Sequence, residues 1–529
     1  METDKLNFIL TEDTGGIRRR LFKDASPRPG GYGLDDYYQE VSDILRTALD
    51  EKQICLTAFR EKEIEQSLSK RTRELLQAEE NTVCICLDRY LLSEIETDPQ
   101  IKGRFSRLAV CRNIQGQRIP RQGSKPLDTQ LDHLKAQFPN LESAKILLID
   151  DGVFSGGTIE FVADLLSKLK IQKSQISVLG FIGNGASEQL QNQGIAVETI
   201  QKVTNLYDWV DSRDFGIFGG KTLAQSKSGG VSSSIPYLFP FSSAEGASID
   251  KFGTLFTLSA AVIGCQIKLL TQWEKQSGQN ITFKNLIEAG FPLPINRQKS
   301  INPTLNTRAV DFLFESLSQI EKEQNRKVLI FDMDGVLENF QGPTETYSGS
   351  NLEQSVNSNA SKLVADRLGL PQAIADQLIT DGLASKTPLS LWVSNKLGIS
   401  RSQYYSQVWG KIDPEAVVSS NTQALQFIEA TSQLPSKIKL VLLSSAPRVW
   451  VDKVLAFLKA EETFESIYSQ EDFENKADAF SMFSQRYNPK KVCSIGDQEL
   501  TDLQPARAVG LNAISVKDPD YLKQLTKFI

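Results

Sequence analysis

Two aspartates separated by one residue follow a short apolar run in the second half of the chain. The run, residues 328–331, has the composition of a buried strand and leads directly into Asp332 and Asp334. Ligands of open α/β sheets bind at the carboxyl ends of such strands. Two carboxylates at positions i and i+2 can converge on one point once the chain leaves the pleated strand. The alternative is an ordinary turn, in which Asp and Gly are chosen for backbone geometry.

Polar residues also follow two later strand-like runs, and a lysine begins a helix-like segment between them. The runs are 439–443 and 491–495, and the helix-like segment is 476–487. The polar residues are Ser444, Lys476, Asp497 and Asp502. A hydroxyl can donate to a phosphoryl oxygen, an ammonium can neutralise phosphate charge, and carboxylates are hard ligands suited to Mg²⁺. The set therefore predicts chemistry on a phosphate group.

In this order the four elements resemble the haloacid dehalogenase-like superfamily of phosphotransferases, and the resemblance covers residues 326–529. It implies that Asp332 is a nucleophile that forms an aspartyl-phosphate, and that Asp334 is the general acid and then the general base. It also implies that Ser444 and Lys476 hold the phosphoryl group. The implied ligands of an Mg²⁺ cofactor are Asp332, the backbone carbonyl of Asp334, Asp497 and Asp502.

The residue at position 334 and the spacing of the elements indicate which reaction and which size of substrate to expect. Family ATPases typically carry threonine at that position, so Asp334 favours phosphatase or mutase chemistry; a decayed enzyme is the alternative. Ser444 follows Asp332 by 112 residues, whereas Lys476 follows Ser444 by only 32. In the family, an early insertion is a helical cap of the C1 type, which here would span about residues 340–435. Caps close over small substrates and exclude water, so small phosphorylated metabolites are the expected substrates.

A second acid pair, Asp150 and Asp151, follows the strand-like run 145–149 in the first half. A loop of small residues comes next, before the helix-like segment 159–169: Ser155, Gly156, Gly157 and Thr158. Acids can accept hydrogen bonds from ribose hydroxyls, while loop amides at a helix N-terminus hold a 5′-phosphate. This resembles the phosphoribosyl-pyrophosphate (PRPP) motif of type I phosphoribosyltransferases, which implies a PRPP site. Gly152 and Phe154 depart from the family pattern.

Other residues of the first half are candidates for the same site. Arg89 and Arg112 follow strand-like runs and are candidates for neutralising pyrophosphate, with a solvated surface charge as the alternative. Trp209 lies in a segment that resembles the part of purine-specific family members that stacks on the base. Core packing is the alternative for this aromatic residue. Phosphoribosyl transfer relies on positioning and on Mg²⁺, and it requires no histidine.

Alternating strand and helix patterns predict the elements that position these residues. We expect an α/β protein with two Rossmann-like parallel-sheet domains, one phosphoribosyltransferase-like and one haloacid dehalogenase-like with a helical cap. The predicted domains are 1–215, a loop and mainly helical region at 216–325, and 326–529. The apolar stretch 252–270 is interrupted by polar residues and is expected to be a buried helix rather than a membrane span.

Composition excludes several classes of protein. His133 is the single histidine, so sites that need paired imidazoles are excluded. A net charge of −6 gives no basic footprint for nucleic acid or an anionic membrane, and neither is an expected partner. The six cysteines include no Cys-x-x-Cys pair, which favours a reducing cytoplasm.

Together the motifs predict a bifunctional enzyme. Its N-terminal part would carry out PRPP-dependent phosphoribosyl transfer, and its C-terminal part would be an Mg²⁺-dependent phosphatase acting on a small phosphorylated metabolite such as a nucleotide. One alternative is a phosphatase whose N-terminal part senses PRPP or a nucleotide without turning it over. Another is an assembly platform with no chemistry. The accepted base, the phosphatase substrate, the role of 216–325 and the oligomeric state do not follow from the sequence.

Overall fold

In the computed structural model, the chain forms two compact units, Met1–Ile320 and Glu321–Ile529. The structure describes residues 5–12, 21, 32–50, 53–88, 91–113, 117–121, 124–183, 187–215, 217–218, 222–224, 233–234, 238–241, 255–289, 291, 293–294, 303–385, 387–433, 438–473 and 475–529. Within these residues, no helix is long and apolar enough to cross a membrane.

The described part of the first unit contains strands and helices in alternation. Its strands are β1 (Asn7–Thr11), β2 (Cys55–Phe59), β3 (Thr82–Cys86), β4 (Phe105–Arg107), β5 (Val110–Asn113), β6 (Arg118–Pro120), β7 (Lys145–Val153), β8 (Ile176–Gly183), β9 (Ala196–Lys202), β10 (Leu206–Asp211), β11 (Thr222–Ala224), β12 (Ser233–Ser234) and β13 (Leu293–Pro294). Its helices are α1 (Leu34–Asp50), α2 (Glu61–Ala78), α3 (Ser93–Thr97), α4 (Leu127–Gln137), α5 (Gly157–Ser167), α6 (Ser187–Asn192), α7 (Leu255–Ser277), α8 (Phe283–Glu288) and α9 (Ala309–Gln324).

A five-stranded parallel sheet of order β4-β3-β7-β8-β9 forms the centre of this unit. The apolar residues of β3 and β7 are buried, as expected for central strands covered by helices on both faces. A second parallel sheet, of order β10-β1-β2, joins chain segments about 200 residues apart. Strands β5 and β6 form an antiparallel hairpin that follows β4.

The helical region after residue 250 packs within the first unit. Gln266 of α7 donates from Nε2 to the Tyr37 hydroxyl of α1 at 3.2 Å, and Lys268 Nζ lies 2.9 Å from a Glu40 carboxylate oxygen. The apolar stretch predicted as a buried helix is α7, in which the buried residues include Val262, Leu269 and Trp273.

The second unit is also α/β. Its strands are β14 (Lys327–Phe331), β15 (Glu338–Phe340), β16 (Val418–Ser420), β17 (Ile438–Leu443), β18 (Ser466–Tyr468), β19 (Val492–Gly496) and β20 (Asn512–Ser515). Its further helices are α10 (Asn351–Leu368), α11 (Gln372–Ala384), α12 (Leu389–Leu397), α13 (Arg401–Tyr404), α14 (Pro414–Val417), α15 (Thr422–Ser432), α16 (Arg448–Leu458), α17 (Lys476–Arg486), α18 (Gln504–Ala508) and α19 (Tyr521–Phe528), with π-helical turns at Tyr405–Trp409 and Glu499–Leu503.

Five strands of this unit form a parallel sheet of order β18-β17-β14-β19-β20. The Rossmann-like parallel sheet predicted for this half is thus confirmed. The helical insertion α10–α14 lies between β15 and β16, which pair antiparallel with Phe340 opposite Val418. The insertion therefore leaves and rejoins the core through a two-stranded ribbon.

Candidate functional site

Three neighbouring strands deliver the predicted residues of the second unit to one edge of the sheet. Asp332 is the first residue after β14, and Ser444 and Asp497 are the first residues after its neighbours β17 and β19. All three strands are parallel, so their carboxyl ends meet at the same edge. The structure thereby brings together side chains that are up to 165 residues apart in the sequence.

Lys476 is the cation at the centre of this edge. It is the first residue of α17, whose preceding residue Asn475 accepts a hydrogen bond from the Asp478 amide and caps the helix. Its Nζ lies 2.7 Å from Oδ1 of Asp332 and 2.7 Å from Oδ1 of Asp502. Burial lowers the pKa of Lys476, but the two carboxylates outweigh burial and raise that pKa above its ordinary value. Lys476 therefore stays charged.

Asp332 is buried and has its two carboxylate oxygens in different surroundings. Oδ1 accepts from Lys476 and also from the backbone amide of Met333, at 2.8 Å. Oδ2 accepts no hydrogen bond from the residues that the structure describes. Burial, assisted by the charges of Asp502 and Asp334, raises the pKa of Asp332 from 3.8 to about 8 despite the neighbouring ammonium.

Asp334 faces a buried carboxyl group that sequence reasoning missed. Glu338, the first residue of β15, is 0% exposed and forms a backbone bridge with Asp334. No described donor reaches either Glu338 oxygen or Oδ1 of Asp334. Burial, and then the charge of Asp334, raises the pKa of Glu338 to about 11, so Glu338 is protonated at neutral pH. The one sequence signal for this buried carboxyl group is the acidic residue itself, and its burial becomes evident only in the fold.

Three carboxylates lie close enough to share one cation. One oxygen each from Asp332, Asp497 and Asp502 lies within 4.8 Å of the others. Oδ1 of Asp497 is buried and without a donor among the described residues, as expected of a metal ligand. These hard oxygen donors fit Mg²⁺. For Asp334 the expected ligand is its backbone carbonyl, which stays a prediction.

A glycine makes room for this arrangement. Gly335 has a φ of +72°, a left-handed conformation that other residues rarely adopt. A Cβ atom there would lie 2.9 Å from the carboxyl carbon of Asp497. The Asp-x-Asp-Gly sequence therefore requires glycine for backbone shape and for the close approach of the third carboxylate.

Ser444 is fully buried at the end of β17. Its Oγ accepts a hydrogen bond from the Ala446 amide at 3.1 Å, which leaves the hydroxyl proton available for a ligand. Its backbone amide donates to the carbonyl of Tyr468. The loop that follows β17 thus holds the side chain, and the hydroxyl donates to no acceptor among the described residues.

In the first unit, the structure places the acid pair inside strand β7 rather than after it. The expected strand ended at residue 149, whereas β7 continues to Val153 because it pairs with β8 along this stretch. Burial and the charge of Asp151 raise the pKa of Asp150, and Arg121 opposes them. The two acids therefore share an electrostatic environment with a cation that sequence reasoning did not select.

Aromatic packing shapes the loop after β7. Phe154 packs against Trp209 with ring centroids 4.8 Å apart, and a Cβ atom at Gly152 would lie 2.7 Å from the Phe154 ring. Trp209 also donates from Nε1 to the Thr11 hydroxyl at 3.0 Å. Trp209 thus packs within the unit, which is the alternative that the sequence left open.

Two arginines of the β5–β6 hairpin region lie near this loop. A Cβ atom at Gly157 would lie 3.0 Å from Nη2 of Arg118, so that guanidinium contacts the start of α5. Arg121 pairs with the buried Asp88 at 3.4 Å. The side chains of Ser155 and Thr158 form no hydrogen bond with a described residue. Arg89 lies outside the described residues.

Residues 407–516 match the model of the haloacid dehalogenase-like hydrolase family. The matched stretch includes Ser444, Lys476, Asp497 and Asp502. The C-terminal unit contains a haloacid dehalogenase-like hydrolase domain. The hydrolase fold predicted for this half is thereby confirmed. Among curated proteins, none matches the chain.

Several solved structures are similar to part of the chain. They include a haloacid dehalogenase-like hydrolase from Streptococcus pneumoniae (18% identical, covering 39% of this chain and 99% of that chain, TM-score 0.25), a putative β-phosphoglucomutase from Thermotoga maritima (18% identical, 38% and 100%, TM-score 0.25) and the putative hydrolase YfnB from Bacillus subtilis bound to magnesium (15% identical, 38% and 98%, TM-score 0.26).

Proposed function

We propose that the hydrolase domain is an Mg²⁺-dependent phosphatase that acts on a small phosphorylated metabolite such as a nucleotide. The observation that carries this proposal is the position of the Asp332 carboxylate, 2.7 Å from the Lys476 ammonium and within 4.8 Å of the Asp497 and Asp502 oxygens. An ammonium and a cation on two sides of one carboxylate stabilise the charge that develops on the oxygens of a phosphoryl group.

In the first step, Oδ2 of Asp332 attacks phosphorus, and the bond between phosphorus and the alcohol oxygen breaks. Oδ2 attacks because Oδ1 already accepts two hydrogen bonds. Asp334 donates a proton to the leaving alcohol, and burial raises the pKa of Asp334, which favours this role as a proton donor. In the second step, water attacks the aspartyl-phosphate, Asp334 accepts the water proton, and inorganic phosphate leaves. Mg²⁺ held by the carboxylates would supply positive charge to the phosphoryl oxygens.

The test is phosphate release from a panel of nucleoside monophosphates, sugar phosphates and phenyl phosphate. We expect release that needs Mg²⁺, stops with EDTA, and falls by about a thousandfold or more in Asp332→Asn. Asp452→Asn is the matched control because Asp452 is half exposed and pairs with Arg448 on the surface of α16. It should stay within about twofold of the wild type. A wild-type protein without activity on the whole panel would contradict the proposal.

We further propose that the first unit binds PRPP or a nucleotide. The specific support is the Arg118 guanidinium against Gly157, at the start of the helix that follows the strand of Asp150 and Asp151. An arginine and loop amides suit a phosphate, and the acids suit ribose hydroxyls. Sensing and transfer both require this binding, and only transfer requires release of pyrophosphate.

Calorimetry with PRPP, together with a pyrophosphate assay, separates these functions. Binding that is lost in the double variant Asp150→Asn/Asp151→Asn supports the site, and release of pyrophosphate lost in the same variant supports transfer. Binding without release supports sensing. Asp128→Asn is the control, since Asp128 is exposed on α4. Absence of PRPP and nucleotide binding would overturn the proposal for this unit.

A further inference from the structure

A cavity of about 350 Å³ lies beside Lys476 in the second unit. Ser445, Gln470, Asn475 and Thr501 are among its lining residues. Lys476 is the one cation among the lining residues that the structure describes, and its ammonium already contacts two carboxylates. Lys476 thus links the cavity to the Asp332 carboxylate, and the described lining residues offer no second cation for another anionic group.

The polar side chains of this cavity differ in the hydrogen-bonding groups that remain available to a ligand. Asn475 accepts from the Asp478 amide and donates to the Asp478 carboxylate, and the Thr501 hydroxyl contacts the carboxylate of Asp502. Both are engaged in holding the loops. Ser445 and Gln470 retain hydrogen-bonding capacity, because neither the Ser445 hydroxyl nor the Gln470 Nε2 is hydrogen-bonded to a described residue.

A chain of hydrogen bonds fixes the orientation of Gln470. Arg401 donates from Nη2 to the Tyr405 hydroxyl at 2.6 Å, and this hydroxyl donates to Oε1 of Gln470 at 3.0 Å. The backbone amide of Gln470 donates to the carbonyl of Ala446 at 3.0 Å. The acceptor end of the Gln470 amide is thus occupied, and its donor end, Nε2, remains for a ligand.

Building on the proposed phosphatase function, we propose that Gln470 is a specificity-determining residue that donates from Nε2 to the leaving group of the substrate. The leaving group is an uncharged alcohol that carries further hydroxyls, such as a sugar or a polyol. A hydroxyl oxygen accepts from Nε2 and its proton can be donated to Ser445, whereas a carboxylate or a second phosphate would enter a cavity without a free cation.

Arg401 and Tyr405 belong to the helical insertion, and Gln470 belongs to the core. The orientation of Gln470 therefore depends on the insertion being in place over the core. Recognition of the leaving group and closure of the insertion are thereby coupled through one hydroxyl, that of Tyr405.

The experiment compares kcat/KM for glycerol 3-phosphate, 3-phosphoglycerate and phenyl phosphate. The first two share a carbon skeleton, but glycerol 3-phosphate has a hydroxymethyl group where 3-phosphoglycerate has a carboxylate. Phenyl phosphate has no hydroxyl. We expect the wild type to favour glycerol 3-phosphate over 3-phosphoglycerate. In Gln470→Leu the ratio of kcat/KM for glycerol 3-phosphate to that for phenyl phosphate should fall by about five- to tenfold, mainly through KM, as for one lost hydrogen bond.

Gln377→Leu, on an exposed face of α11, is the matched control and should leave the ratio at the wild-type value. Tyr405→Phe should lower the ratio in the same direction, and it keeps the test valid if Gln470→Leu does not fold. An unchanged ratio in both variants, or preference of the wild type for 3-phosphoglycerate, would overturn the role of Gln470 while phosphatase activity stands. No hydrolysis of any phosphate ester would overturn the phosphatase function itself.

Discussion

The ammonium of Lys476 lies 2.7 Å from Oδ1 of Asp332, and both side chains are only 6% exposed. Lys476 faces a second carboxylate, that of Asp502, at the same distance. The carboxylates of Asp334 and Asp497 lie nearby, and Lys517 reaches Asp497 from the exposed rim at 3.3 Å. The site therefore holds more buried negative than positive charge, and this imbalance determines how the domain responds to mutation, metal and pH.

Lys476→Met should destabilise the metal-free protein strongly. The change leaves Asp332 and Asp502 buried without their cation, a loss that costs about 3 kcal/mol or more in free energy of unfolding. Urea unfolding in EDTA measures this, and Mg²⁺ should recover part of the loss because it replaces the missing charge. Lys362→Met, at an exposed position of α10, is the control. Equal unfolding midpoints for the two variants would contradict the prediction.

Mg²⁺ affinity should rise with pH. Asp332 has a folded pKa of about 8 against an ordinary value of 3.8, so the metal-free native state binds more protons than the unfolded state between these values. Stability from this group is present at low pH and is lost as pH rises toward 8. Mg²⁺ needs the ionised carboxylate, so binding releases a proton.

Calorimetry in buffers of different ionisation enthalpy measures the released protons, and we expect about one per Mg²⁺ near pH 7. Thermal midpoints in EDTA at pH 6 and pH 8 measure the stability change. The difference between wild type and Asp332→Asn isolates this group, because the variant cannot ionise. The prediction would be contradicted if the thermal midpoint of the wild type, relative to that of Asp332→Asn, increased toward pH 8.

Gly335→Ala should weaken Mg²⁺ binding and phosphatase activity. The added Cβ would meet the Asp497 carboxyl at 2.9 Å, and the positive φ adds strain. Gly398→Ala is a matched control, since Gly398 has a φ of +67° but an added Cβ meets nothing within 4 Å. Both variants should lose about 1 kcal/mol of stability from backbone strain, and only Gly335→Ala should raise the Kd for Mg²⁺. Equal metal affinities would show that Asp497 is not held by this contact.

Arg118→Gln should weaken PRPP binding by the first unit by about tenfold or more, because the guanidinium contacts the start of α5. Calorimetric titration provides the Kd for the wild type and the variant. Arg46→Gln is the control, because Arg46 is half exposed on α1 and pairs with Asp43. An identical Kd for all three proteins would show that Arg118 does not contact a phosphate group of bound PRPP.

The site of the hydrolase domain was predictable because parallel strands deliver their next residues to one edge. Asp332, Ser444 and Asp497 each follow an apolar run, so strand prediction alone places them together. Glu338 was not predictable, because its role arises from burial against Asp334 rather than from spacing. Gln470 was missed for a similar reason, since a residue of the insertion orients it.

In the first unit, the central strands were predictable and the second sheet was not. β1 and β2 are short, and β1 pairs with β10 about 200 residues later, a contact that no local pattern indicates. Arg118 and Arg121 were passed over because they follow no apolar strand run. The hairpin, rather than the chain order, brings them to the loop that follows β7.

The ribbon of β15 and β16 makes the insertion an exchangeable module. Phe340 and Val418 are paired neighbours, so the two ends of segment 341–417 lie side by side on the core. A tight turn could join these two residues and leave the parallel sheet continuous. The hydrolase domain can therefore acquire, lose or replace the insertion without a change in the order of its parallel strands.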